Sequence, residues 1–246
     1  MEKRTLAIIP ARGGSKRLPR KNLLELNGKP LVCYSIDAAI KSGVFDHVML
    51  NSDDPEILAL GERYEAVEAR LRPEHLAGDT VKVIDLIIEI ASEQYVADNF
   101  NVIALLLPTC PFRDARDLTN GLGMLDEGVD AVVSATAYEF PYTMSMRVDD
   151  VGLIKHVFNP APLVSGNTRS QDHDEVYHPN GGFYFGWRGR LITNGNYFAG
   201  KTKAYIMPRL TSIDIDDEND FRYAEHLLQS GVVETLNNSP PGVRAS

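Results

Sequence analysis

Along the first 135 residues, short apolar runs alternate with longer segments whose apolar residues recur at helical spacing. Residues 6–10, LAIIP, form an unbroken apolar run that stops at Pro10 and is followed by Gly13 and Gly14, as expected for a strand buried on both faces. A helix is expected from Lys29-Pro30 to Gly43, carried by Leu31, Tyr34, Ile36, Ala38, Ala39 and Ile40, with Pro at its start and Gly at its end. The same pattern predicts a strand at 47–50, helices at 55–64 and 81–96, a strand at 102–107, a helix at 114–126 and a strand at 131–135. Parallel strands need crossover connections, and the intervening helices supply them. The expected fold is therefore α/β, with a mostly parallel sheet covered on both faces. From about 138 to 177 the alternation fails, because Pro, Asn, Ser and charged residues interrupt every periodic run, and the block reads as an insertion. Strands at 181–187 and 204–207 and a helix at 218–228 complete the pattern. The organisation expected is one domain over 1–236 with an insertion at about 138–178, then a flexible tail over 237–246 containing Pro240-Pro241-Gly242.

Charge narrows the function. With 25 Lys and Arg against 34 Asp and Glu, the net charge is −9, which argues against general nucleic-acid binding. Yet five of the ten residues from Arg12 to Lys21 are cationic, so this loop is suited to a small anion. It leaves the C-terminal end of a buried strand, where open α/β sheets bind ligands. Gly13 and Gly14 let the backbone approach an anion, Ser15 adds a hydroxyl, and Arg12, Lys16 and Lys21 add charge. The result is a phosphate cradle, although a solvated basic turn is the alternative. It is not a Walker A loop, which needs Gly at the position of Ile9, and no G-x-G-x-x-G occurs.

Acidic residues gather near the other end, in Ser212-Ile213-Asp214-Ile215-Asp216-Asp217-Glu218. Alternation along an extended segment would put Asp214 and Asp216 on one face, a credible Mg²⁺ pair. The competing reading has Asp216, Asp217 and Glu218 capping and charging the last helix; Asp217 and Glu218 are assigned to that role. Cys33 and Cys110 match no metal spacing and are expected as reduced core thiols. No apolar run approaches the roughly 18 residues of a membrane span, so a soluble, cytoplasmic protein is expected. The six His are scattered with no nucleophile motif beside them; His75 and His156 are expected as surface or core-edge residues, and Trp187 as core.

Eight short motifs occur in order: Ile9 to Lys16 (IPARGGSK), Lys21-Asn22, Asn51-Ser52-Asp53, Leu71-Arg72-Pro73, Asp79-Thr80, Pro108-Thr109, Asn180-Gly181 and Ser212 to Asp216. In this they resemble the CMP-nonulosonate synthetases, the acylneuraminate-type cytidylyltransferases, over roughly residues 5–228. The resemblance implies a Rossmann-like nucleotidyltransferase fold with an inserted dimerisation element, a homodimer, and CTP, a nonulosonic acid and Mg²⁺ as partners. It places Arg12, Gly13, Gly14, Ser15, Lys16 and Lys21 at the triphosphate and Asn22 and Arg72 at the cytosine or ribose. It also places Asp214 and Asp216 at the metal, with Lys21, Arg12 and Asp214 in catalysis, and Thr109, Arg169, Gln171 and Asn180 at the sugar. Membrane and nucleic acid are not implied.

The sugar stays open at this level. N-acetylneuraminate enzymes commonly carry Gln before Pro-Thr, where this chain has Leu107, and tend to carry Lys and Arg where Thr143 and His178 align. Glu139 to Tyr142 and Asn167 to Asp172, followed by Tyr177-His178, resemble the pseudaminic-acid branch. Pro179-Asn180-Gly181 and Ser212 to Asp216 resemble the sialic and legionaminic branches. A 3-deoxy-manno-octulosonate enzyme and a non-catalytic CTP-binding protein are the competing readings, and the intact carboxylate pair disfavours the latter.

Overall fold

The computed structural model describes residues 2–238 and contains a seven-stranded sheet. In chain order the strands are β1 (Thr5–Pro10), β2 (His47–Ser52), β3 (Val67–Leu71), β4 (Val102–Leu105), β5 (Ala131–Ala137), β6 (Tyr177–Trp187) and β7 (Thr202–Ile206). Across the sheet they run β7-β5-β6-β4-β1-β2-β3. β1 pairs in parallel with β2 and β4, β2 with β3, and β5 with β7, whereas β6 is antiparallel to β4. The sheet is thus mostly parallel, as the alternation requires.

The run in β1 shows how the core is divided. Ala7 and Ile9 enter one apolar cluster, with Val32 and Ile36 of α1 (Leu31–Ser42) and Leu118 and Leu122 of a helix at Ala115–Gly123. Leu6 and Ile8 enter another, with Leu86, Ile87 and Ile90 of a helix at Val83–Ser92. Alternate side chains pointing to opposite faces explain both destinations, and the fully apolar strand follows from having a helix on each face. In chain order after α1 the helices used below are α2 (Pro55–Gly61), α3 (Val83–Ser92), α4 (Gln94–Asn99), α5 (Ala115–Gly123), α6 (Arg188–Asn194), α7 (Glu218–Gln229) and α8 (Val232–Asn238).

Several boundaries differ from the sequence expectation. The helix at 81–96 is two helices, α3 and α4, because Glu93 takes an extended conformation between them. The helix at 55–64 ends at Gly61. β3 was not expected: it is a half-buried edge strand in which Glu68 and Arg70 alternate with Val67, Ala69 and Leu71, so no continuous apolar run announces it. α6 begins with Arg188-Gly189-Arg190 and buries only Leu191, so it too lacked an apolar stripe. The expected tail begins inside α8, whose last residues include Asn237; residues 239–246 lie outside the described residues. The segment 212–217 is not a strand. No helix among the described residues is long and apolar enough to cross a membrane.

Contacts divide the chain into two units, one taking residues up to 135 and from 179 onward, the other Thr136–His178. The second coincides closely with the expected insertion. It holds a hairpin of Met146–Val148 and Ile154–His156, whose turn is fixed by Asp149 accepting from the Val151 and Leu153 N–H groups. Tyr142 meets Phe158 edge-on at 5.2 Å, and the Tyr138 and His178 rings lie 4.7 Å apart. Of its residues only Thr136 is buried, while Phe140, Val148, Val151, Leu153, Ile154 and Val164 are all more than half exposed.

Candidate active site

The basic loop starts where β1 ends and is fixed by contacts that do not use its charges. The Ala11 N–H reaches the Asn51 carbonyl at 2.9 Å, the Gly13 N–H reaches Asp53 Oδ1 at 2.9 Å, and Asn22 donates to the Arg12 carbonyl at 2.9 Å. A Cβ on Gly13 would stand 2.7 Å from Asp54 Oδ2, so glycine is required there for close packing against the β2–α2 turn. Gly14 has open space around it. Arg20 takes a left-handed conformation (φ 55°) that turns the chain into a short 3₁₀ helix at Lys21–Leu23.

Each cation of the loop meets a carboxylate. Lys16 pairs with Asp79 at 2.8 Å and Arg12 with Asp79 at 3.6 Å; Arg17 pairs with Asp216 at 2.7 Å and Arg20 with Glu56 at 2.7 Å. Lys21, the most enclosed of them, donates to the Ile215 carbonyl at 2.5 Å and lies 3.3 Å from Asp216 Oδ1. Arg12, Ser15 and Lys21 are shared by two cavities. One, of about 230 Å³, is also lined by Asn22, Arg72, Lys82, Leu107, Pro108 and Thr109; the other, of about 260 Å³, by Lys16, Arg17, Asp79 and Asp216. They form the two ends of one cleft.

Polar groups in the first cavity are set for a ligand. Asn22 is 6% exposed and its Oδ1 has no partner among the described residues, leaving a buried acceptor open for a donor. Arg72, also 6% exposed, is oriented by Asn51, through Nε to Oδ1 at 2.8 Å and Nη2 to the carbonyl at 3.2 Å. Burial pushes its pKa down, while Asp53 offsets part of that cost.

The acidic residues divide their work. Asp217 caps α7, accepting from the Asn219 and Asp220 N–H groups at 2.8 and 3.2 Å, and Glu218 pairs with Arg222. Asp216 is no cap: its oxygens face Arg17 and Lys21. Asp214 is hydrogen-bonded to the Thr109 side chain. The surrounding protein desolvates its carboxylate and raises its pKa, and the charge of Asp216 adds to the rise, although one side stays open to solvent. Two hard carboxylates close enough to repel each other suit a divalent cation that takes its other ligands from water and phosphate. Among the described residues no group of three or more His, Cys, Asp and Glu is assembled for a metal.

The cleft therefore brings together Arg12, Ser15, Lys16, Lys21, Asn22, Arg72, Thr109 and Asp216, with Asp214 bonded to Thr109. Asn180 stands behind it: it is 2% exposed, donates to Ser212 Oγ at 2.7 Å and accepts from the Gly182 N–H at 3.1 Å. Its amide supports the 212–216 segment. Arg169, Gln171 and Thr143 belong to the Thr136–His178 unit, where Thr143 meets His173 at 3.2 Å. Sequence reasoning gave no role to Arg17, Asp53 or Asp79. Their signal lay in the motifs Asn51-Ser52-Asp53 and Asp79-Thr80 and in the charge of the loop. Trp187 is only partly buried, donating to the Asp126 carbonyl at 3.0 Å, and His75 pairs with Glu89 at the surface. Cys33 and Cys110 are free and buried.

A family model described as Cytidylyltransferase matches residues 6–234. The chain is 32% identical over 231 residues to a pseudaminic acid cytidylyltransferase of Campylobacter jejuni subsp. jejuni, covering 92% of this chain and 97% of the relative. It is 31% identical to a CMP-N,N'-diacetyllegionaminic acid synthase of Legionella pneumophila, covering 92% and 97%. It is 33% identical to an N-acylneuraminate cytidylyltransferase of Escherichia coli, covering 93% of this chain and 53% of that longer relative. Among solved structures, a CMP:2-keto-3-deoxy-manno-octonic acid synthetase complexed with CTP superposes with a TM-score of 0.63 at 18% identity, covering 92% of this chain and 99% of that one. That likeness supports the nucleotidyltransferase fold.

Proposed function

This chain belongs to the cytidylyltransferase family that includes the pseudaminic, legionaminic and N-acylneuraminate enzymes, and from that premise we propose that it transfers the cytidylyl group of CTP to a nine-carbon α-keto sugar acid. The oxygen of the sugar's C2 hydroxyl forms a bond to the α-phosphorus of CTP, the bond from that phosphorus to the bridging oxygen breaks, and pyrophosphate leaves while the hydroxyl proton passes to a base. The observation that carries this reading is the single cleft in which a glycine-bearing cationic loop faces a pair of carboxylates.

Positioning and charge stabilisation account for most of such catalysis. Arg12, Ser15, Lys16 and Lys21 would take the triphosphate oxygens, with Asp79 and Asp216 releasing their ion pairs as phosphate replaces carboxylate. Lys21 and Arg12 then stabilise charge on the departing pyrophosphate. Asn22 and Arg72 would hold the nucleoside, Asn22 through its open Oδ1. Asp214 and Asp216 would hold Mg²⁺, which when bound offsets phosphate charge and makes the attacking hydroxyl more acidic. Asp214 is also the candidate acceptor of the hydroxyl proton, as a carboxylate whose basicity would fall while it holds the metal.

At the sugar, Thr109 lines the cavity and Asn180 supports the 212–216 segment through Ser212, while Arg169 and Gln171 of the insertion are the side chains whose chemistry suits the sugar's carboxylate and polar arms. Leu107 lines the same cavity, and an apolar wall gives a hydroxyl nothing to bond. A deoxygenated diacylamino nonulosonate of the pseudaminic or legionaminic kind is therefore expected to be used at least as well as N-acetylneuraminate. The exposed apolar residues of the insertion support a homodimer built on that unit. Pyrophosphate release with CTP, Mg²⁺ and a panel of nonulosonic acids tests the reaction; no release with any of them would refute it.

A further inference from the structure

Between the end of β4 and the start of α5 the chain runs without regular structure, and Leu107, Pro108 and Thr109 from this stretch enter the cavity wall. Peptide groups outside helices and sheets must find other partners. The Thr109 carbonyl accepts from the Ile215 N–H at 2.8 Å, which ties the loop to the segment carrying Asp214 and Asp216. The Leu107 and Cys110 carbonyls bracket Pro108-Thr109, and one group serves both: Arg113 Nη1, at 2.9 and 2.8 Å.

Arg113 is 2% exposed, and its Nε and Nη2 have no hydrogen-bond partner among the described residues. Desolvation lowers the guanidinium pKa to about 10, which leaves it cationic at neutral pH. A buried cation with two unmet donors is costly, and an apolar side chain would fill the same space at lower cost. What the guanidinium offers in return is geometry: a rigid planar group that fixes two carbonyls at set positions.

We propose that Arg113 is a positioning residue for cytidylyl transfer, holding the 107–110 turn so that the Thr109 side chain meets Asp214 and its carbonyl meets the Ile215 N–H. The inference rests on the cytidylyltransferase reading for its activity readout alone. None of the contacts that hold Arg12, Lys16 and Arg72 passes through this loop. Among the described residues, Lys21 alone of the triphosphate set is joined to the loop, indirectly through Ile215, so nucleotide binding should change less than transfer when Arg113 is changed.

The chain has two cysteines, one of them inside the turn, and both are buried. Thiol labelling of native protein, resolved by peptide mass, therefore reports the loop through Cys110 and the rest of the core through Cys33. In Arg113→Met, Cys110 should label about tenfold faster or more while Cys33 keeps its parental rate. CTP affinity by calorimetry should stay within about threefold while kcat falls about tenfold or more. Arg113→Lys keeps the charge but not the planar nitrogen that serves both carbonyls, and should fall between parent and Met. If the Met variant does not fold, the Lys variant decides on the same measurements. Unchanged Cys110 labelling and kcat in a folded variant would overturn the assignment, as would both thiols labelling faster together or CTP affinity falling in step with kcat. Should the parent itself release no pyrophosphate, the proposed reaction fails, and Cys110 labelling still decides the role of Arg113 in the turn.

Discussion

Lys21 holds two separate parts of the site together, reaching the Ile215 carbonyl and Asp216 from a loop nearly two hundred residues earlier in the chain. In Lys21→Ala the fold should persist, while kcat falls by about 10²–10³, the range for loss of one charge-stabilising donor. Steady-state rates at saturating CTP check this, and near-parental turnover would remove Lys21 from the phosphate site. Asp216→Asn keeps the shape of a metal ligand and removes its charge, so the Mg²⁺ activation curve should shift strongly to higher concentration or vanish; curves that coincide would leave the carboxylate without a metal role. Asp214 gives a further signed expectation. Its folded pKa is raised by desolvation, so it contributes stability below its unfolded pKa and loses that contribution as pH rises through the folded value. At neutral pH without divalent cation, Asp214→Asn should therefore raise Tm while abolishing turnover. Solvent on the open side screens the effect, so the gain is only about 1–3 °C by calorimetry.

Helix α5 shows how an element can depend on a missing side chain. A Cβ on Gly121 would stand 2.3 Å from Cζ of Phe183, a ring fully buried beneath the helix in β6. Alanine is the better helix former by up to about 1 kcal/mol, and overpacking a core typically costs about 1–3 kcal/mol. The clash should win. Gly121→Ala is expected to lose about 1.5 kcal/mol and about 3–6 °C in Tm. Thermal denaturation of the variant checks this, and a rise in Tm would mean that Phe183 can move. The phosphate loop depends on its neighbours in the same way, since the Gly13 contact with Asp54 fixes how closely the loop approaches the β2–α2 turn.

For the molecule as a whole, the insertion and the sugar pocket yield the remaining expectations. A unit with one buried residue and six widely exposed apolar side chains needs a covering surface, so light scattering at micromolar protein should give the mass of a dimer. A monomer mass would refute that assembly. Sites that bond a substrate hydroxyl can reject its absence by roughly 10⁴-fold, whereas apolar pockets separate neighbours by about 10–200-fold. With Leu107 in the wall, kcat/KM for pseudaminic or legionaminic acid should at least equal that for N-acetylneuraminate; a preference for N-acetylneuraminate above about tenfold would show that another side chain bonds the sugar.

From sequence alone the class of sheet was legible, because it is written in neighbouring residues as apolar runs and helical periodicity; glycines beside cations, broken periodicity and alternate Asp marked the loop, the insertion and the acidic pair as candidates. What stayed hidden was whatever depends on residues far apart in the chain. Edge strand β3 has no apolar run, and Glu93 breaks a helix that periodicity alone would continue. Asn180 matched a motif, yet folding spends its amide on Ser212 and Gly182 behind the cleft. Asp216 could have been a helix cap until folding set Arg17 and Lys21 against it. Arg113 had no signal in the sequence, since its importance lies in two carbonyls that only a turn brings within reach of one nitrogen. Local chemistry selects the elements; long-range packing decides which polar groups have already found partners and which remain for a ligand.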